Sequence, residues 1–181
     1  MPQRRRPAAA RLALTLMISA WPVLAGGSGA QAATATCLGI PATIVGTPGN
    51  DNIKGTPGDD VIAGLGGDDT IDGAGGNDTI CGDDGNDTIH GGPGDDILQG
   101  GAGDDVLYGD DGRDSLSGGD GNDRLFGGAA DDNLSGGNGD DQLFGEAGND
   151  ALSGGPGSDL CDGGPGTDDA DSTCESKAGI P

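Results

Sequence analysis

Fourteen aspartates recur every nine residues with no insertion or deletion: Asp51, Asp60, Asp69, Asp78, Asp87, Asp96, Asp105, Asp114, Asp123, Asp132, Asp141, Asp150, Asp159 and Asp168. An ionised carboxylate only accepts hydrogen bonds, and a column of like charges opposes its own assembly. A divalent cation reverses that sign. Calcium takes six to eight oxygen ligands, from carboxylates and from backbone carbonyls that tight turns expose. Magnesium demands a smaller octahedron and keeps its waters. Zinc needs a His and Cys pattern that these positions lack. The chemistry expected of the column is therefore the binding of several Ca2+ ions, with each of the fourteen aspartates as a candidate ligand.

The aspartates must be positioned by something equally regular. From Gly46 to Asp171 the chain divides into fourteen nine-residue units. Each unit begins with Gly, its fourth residue is Gly except at Ala130, its fifth is usually Asp or Asn, and its sixth is the aspartate. The eighth residue is Ile or Leu from Ile53 to Leu152, then Cys161 and Ala170. Gly, Asp and Asn tolerate positive φ and tight turns. The last three residues, as in Thr79-Ile80-Cys81, alternate outward, inward, outward as a strand does. Each unit thus reads as a turn followed by a very short strand. Composition alone, with 2% aromatics, 41 glycines and a net charge of −23, resembles a disordered chain. Unbroken register over fourteen units argues against disorder.

The units resemble the haemolysin-type, or RTX, calcium-binding nonapeptide family. The consensus is G-G-x-G-x-D-x-U-x, and Gly91-GPGDDILQ-Gln99 and Gly100-GAGDDVLY-Tyr108 lie close to it. The resemblance implies an all-β fold, a right-handed parallel β-roll (a β-solenoid) in which two units make one coil. Ile53, Ile71, Ile89, Leu107, Leu125 and Leu143 would then line one sheet, and Ile62, Ile80, Leu98, Leu116, Leu134 and Leu152 the facing one. It also implies that each ion sits between one turn and the next turn on the same edge. Fourteen turns give at most about twelve such sites. Arg113, Ala130, Ser158 and Thr167 depart from the pattern and should weaken theirs. So thin an apolar core does not by itself offset the entropy of ordering the chain, so folding is expected to require calcium.

The ends differ from the middle. Arg4, Arg5, Arg6 and Arg11 precede an apolar run, Leu12 to Leu24, and small residues follow. This is the layout of a secretory signal peptide, expected over 1–32, with the export route open. The run is short for a membrane span. The remaining organisation expected is an N-terminal cap over 33–45, the roll over 46–171 and a C-terminal cap or tail over 172–181. The mature chain keeps four basic residues, Lys54, Arg113, Arg124 and Lys177, against 31 acids. Such acidity disfavours nucleic acid and anionic membrane as partners and favours cations.

Four cysteines in an exported chain predict disulfides with three connectivities. The preferred pairing is Cys37–Cys81 with Cys161–Cys174. Strict register would hold Cys37 two coils from Cys81, about 10 Å, so that pairing requires the cap to fold back. Ile44 keeps the inward register and predicts a cap strand.

At the ninth position, every second unit reads Lys54, Asp72, His90, Tyr108, Phe126, Phe144, Asp162. The mature aromatics and the single histidine thus fall in one column. Stacking between coils accounts for it, and so does a contact stripe for a cell-surface or glycan partner. Catalysis is not expected: His90 has no nucleophile motif nearby, and the carboxylates are periodic and turn-borne. The expected function is a secreted, extracellular calcium-binding protein, the alternative an adhesion or matrix module using the aromatic face.

Overall fold

The computed structural model describes residues 35–179. The expected signal peptide, 1–32, lies outside the described residues. Every regular element among them is a strand. Sixteen strands form two eight-stranded parallel sheets, one holding the odd-numbered units and one the even-numbered units. Up to Asp169–Ala170 each strand pairs with the strand eighteen residues away, as Leu107 does with Ile89 and Leu125. The result is a β-solenoid of about seven turns, consistent with the right-handed β-roll.

The eighth-position side chains are the core. Ile62, Ile71, Ile80, Ile89, Leu107, Leu125 and Leu143 are fully buried, and Leu98, Leu116, Leu134 and Leu152 nearly so. They form one continuous cluster that ends on Cys161 and Cys174. Each unit from Ile53 to Leu152 contributes one aliphatic side chain to this core.

The strands are longer than expected. Through the middle of the roll they run six residues, as in Thr79–Asp84 and Val106–Asp111. They begin at the seventh position and continue to the third of the next unit. Glycine and aspartate there have low strand propensity. Identical backbone one coil above and below supplies the pairing regardless of side chain, as in the Asp83–Gly101 and Gly101–Gly119 pairs.

The N-terminal cap folds back. Thr36–Cys37 and Ile40–Pro41 pair as an antiparallel hairpin, and Ile44 pairs with Ile62 in the expected inward register. The reversal brings Cys37 to Cys81, with Cα atoms 5.5 Å apart in a disulfide. The C-terminal disulfide, Cys161–Cys174, is also formed. There the segment Cys174–Ala178 adds a last parallel strand beside Asp159–Asp162, with a register shift between Asp159 and Leu160.

Candidate metal-binding turns

The turns place the sixth-position aspartates inward. Asp51 is half-buried, and the thirteen from Asp60 to Asp168 are buried. One oxygen of each carboxylate from Asp69 onward is used within the fold. Oδ1 of Asp69 accepts the backbone N–H of Asp51 at 2.8 Å. The same bond joins each later aspartate to the one eighteen residues before it, as Asp105 to Asp87 and Asp123 to Asp105, each at 2.8 Å. Each carboxylate therefore reaches back across one coil.

The other oxygen is left over. Oδ2 of all twelve aspartates from Asp69 to Asp168 is buried without a hydrogen-bond partner. An orphaned buried carboxylate oxygen is costly, and a native fold contains few. Here the feature recurs at every gap between a turn and the turn one coil before it.

First-position glycine makes room for that oxygen. A Cβ built on Gly100 would overlap Oδ2 of Asp105 and the carbonyl of Gly118, and one on Gly82 would overlap Asp87 Oδ2 and the Gly100 carbonyl. A carboxylate oxygen and a main-chain carbonyl oxygen thus face the same small space in coil after coil. The carbonyl also accepts a backbone N–H, as that of Gly154 does from Gly137 at 3.0 Å, so the carboxylate oxygen is the one left without a donor, and the pair suits a cation. Among the described residues no three His, Cys, Asp or Glu side chains gather as a metal cluster. Any ion must therefore draw most of its ligands from the backbone. That is chemistry calcium accepts and zinc does not. The donor set fits calcium.

Electrostatics point the same way. Burial pushes the carboxyls of Asp96, Asp105 and Asp132 up to about 7. It raises those of Asp87, Asp114 and Asp123 to about 6. The backbone N–H on Oδ1 opposes the rise, and neighbouring aspartates add to it. Asp69, Asp78, Asp141 and Asp150 are raised from the same main cause. Asp60 is lowered instead, first by the backbone N–H of Thr56 and then by its hydroxyl.

The fifth position has a role that its Asp or Asn preference signalled and the sequence reading did not use. Its side chain accepts from the next coil, in the direction opposite to the sixth: Asn77 Oδ1 from the N–H of Asp95, Asn86 Oδ1 from that of Asp104. Adjacent residues therefore tie each turn to both neighbours. Ser158 and Thr167 still donate their N–H groups to Asp140 and Asn149. Arg113 has no acceptor to offer, and its guanidinium pairs with Asp95 at 3.0 Å. Ala130 adopts a left-handed φ of 88°, a conformation suited to the glycine it replaces.

On the outer face of the odd-unit sheet, His90, Tyr108, Phe126 and Phe144 stack in order. Their centroids are 4.4, 4.9 and 5.0 Å apart and their planes within 10° of parallel. Asp110 pairs with His90 at 3.2 Å, and Arg124 lies over Phe126.

The family described as RTX calcium-binding nonapeptide repeat (4 copies) matches residues 45–80, 82–116, 108–143, 117–152 and 135–170. No curated protein matches the chain.

Proposed function

The chain belongs to the RTX calcium-binding nonapeptide-repeat family, and from that premise we propose that it is an exported protein whose roll is completed by calcium ions held between successive turns. The observation that carries the reading is the set of twelve buried Oδ2 atoms without partners, one for every pair of turns a coil apart. Each aspartate from Asp69 to Asp168 would supply a carboxylate oxygen, and glycine-rich turns would supply carbonyls. Calcium supplies positive charge and a high coordination number. The chain's own residues do the rest: Oδ1 fixes the carboxylate on the coil below, first-position glycine clears its path, and the fifth-position acceptors hold the turn. The role is binding and structural, with no catalytic step.

Export rests on the basic-then-apolar N-terminal sequence and on two disulfides, which belong to oxidising compartments. A second reading, adhesion through the aromatic face, is favoured by an open groove of ≈ 510 Å³ beside Tyr108 and Phe126, edged by Asp110 and Glu146. The stacking itself favours a structural role, because the inner rings, Tyr108 and Phe126, spend both faces on their neighbours.

The deciding experiment is a calcium titration followed by far-UV circular dichroism, with magnesium as control. A cooperative gain of β-structure specific to calcium is expected. A roll equally formed in chelator, or one that magnesium forms as readily, would overturn the reading.

A further inference from the structure

The two leading turns differ from the twelve that follow. In units Gly46–Lys54 and Gly55–Ala63 the second and third residues are Thr-Pro, a pair found nowhere else in the chain. Oδ2 of Asp51 accepts the backbone N–H of Thr47 at 2.6 Å and its hydroxyl at 2.9 Å. Oδ2 of Asp60 accepts the same two groups of Thr56 at 2.7 and 2.8 Å. Oδ1 of Asp60, which in later turns would accept from the coil before, accepts the hydroxyl of Thr43 in the cap at 3.3 Å. These are the two sixth-position aspartates absent from the run of orphaned oxygens.

The backbone explains the difference. In all twelve units from Gly64 onward the second residue has positive φ, from Leu65 at 84° to Gly164 at 79°. Thr47 and Thr56 do not. A β-branched residue before proline is excluded from the left-handed region. Held in the alternative conformation, its N–H and hydroxyl both reach the aspartate. The leading turns place the same carboxylate and carbonyl oxygens beside Gly46 and Gly55, and they differ by adding two threonine donors that occupy the carboxylate oxygen.

We propose that Thr47 and Thr56 close the leading turns in place of a cation, so that the calcium-ligating carboxylates begin at Asp69 and residues 36–81, pinned by the Cys37–Cys81 disulfide, form a seed that assembles before calcium fills the Asp69 and Asp78 gaps and on which the rest of the roll builds. This inference rests on the calcium reading for the later turns. Asp51 and Asp60 then serve as structural acceptors and do not ligate calcium through their carboxylates.

Two measurements on the full chain test it. Hydrogen exchange read by mass spectrometry in chelator should show residues 36–81 protected at least about tenfold over 82–171. Calcium should then extend protection along the roll. Uniform exchange in chelator, followed by protection on adding calcium, overturns the seed and leaves the calcium reading standing. Uniform protection in chelator overturns both. The second measurement transplants the device. Gly92→Thr turns Gly91-Gly-Pro-Gly-Asp-Asp96 into the Gly-Thr-Pro-Gly-Asp-Asp of the second unit. Calcium stoichiometry by native mass spectrometry should fall by one ion per chain, and an unchanged count in a folded variant overturns the assignment. If that variant does not fold, the double variant Thr47→Gly, Thr56→Gly decides. It should lose the chelator-stage protection of 36–81 and regain structure with calcium, whereas retained protection overturns the proposal.

Discussion

Two buried columns run the length of the roll, two residues apart in every unit, and they are stable for opposite reasons. The eighth-position Ile and Leu side chains meet only one another and are complete as they stand. The sixth-position aspartates are as deeply buried, most within 3% of full burial, yet each from Asp69 onward keeps one oxygen without a partner. Apolar burial stabilises the fold in any solution. Carboxylate burial stabilises it only when something positive, a proton or a cation, enters with it. One column makes the roll possible and the other makes it conditional.

The broadest break between the columns is removal of the cation. Chelation should leave the apolar column chemically unchanged and still dismantle most of the roll, because twelve gaps lose their stabilising charge together. Binding at a hundred times the dissociation constant stabilises by about 2.7 kcal/mol per site, so loss at many sites exceeds the stability of an ordinary domain. Thermal unfolding with and without calcium reads it, and a transition unmoved by chelator contradicts it.

Single substitutions sharpen the contrast. Leu107→Ala empties part of the core and should cost the calcium-loaded roll about 2–5 kcal/mol. Asp105→Asn should act in opposite directions. Its Oδ1 still accepts the Asp87 N–H, and its new amide faces the Gly118 carbonyl beside Gly100. In chelator, where the parent is largely unassembled beyond residue 81, the variant should hold as much β-structure as the parent or more. In calcium it should lose about 2–3 kcal/mol, the contribution of one saturated site. Equal destabilisation by Asp105→Asn in both conditions would show its carboxylate to be ordinary packing.

The apolar column and its register were legible from the sequence because a nine-residue period leaves one inward position, and nothing interrupts it between Ile53 and Leu152. The aspartate column was legible for the same reason. Strand length was not, since a single unit gives no sign that Gly-Asp-Asp at 82–84 will pair with identical backbone one coil away. The folded-back cap was foreshadowed by the distance problem at Cys37 and settled by the hairpin. The threonine-closed turns were written plainly as Thr-Pro at 47–48 and 56–57. Their meaning depends on which way an N–H points, which spacing does not reveal.

Acidity separates the columns more gently. The raised aspartates have higher pKa values in the calcium-free fold than in the unfolded chain, where 3.8 applies. Their contribution to the calcium-free roll is therefore fully present below about pH 4 and lost as pH rises through 6 to 7. The calcium-free chain should gain β-structure on mild acidification. In parallel the calcium needed for half-folding should rise as pH falls from 8 to 6, because protons compete for the same oxygens. Circular dichroism titrations at the two pH values check both directions. A calcium midpoint independent of pH would mean that the buried carboxylates are not the ligands.

The smallest expected effect concerns the one fourth position without glycine. Ala130 holds a φ of 88°, and an L-residue there costs about 1–2 kcal/mol relative to a relaxed backbone. Its N–H donates to the Ala147 carbonyl at 2.7 Å, so the turn is formed in spite of the strain. Ala130→Gly should recover about 1 kcal/mol in calcium, less the extra entropy of glycine in the unfolded chain. In chelator, where this part of the roll is not assembled, the same change should have no effect. A gain seen only with calcium would place unit Gly127–Ser135 among the conditional turns. An equal gain in chelator would show that these turns hold their shape without the ion, and the division between the two columns would then stop short of the middle of the roll.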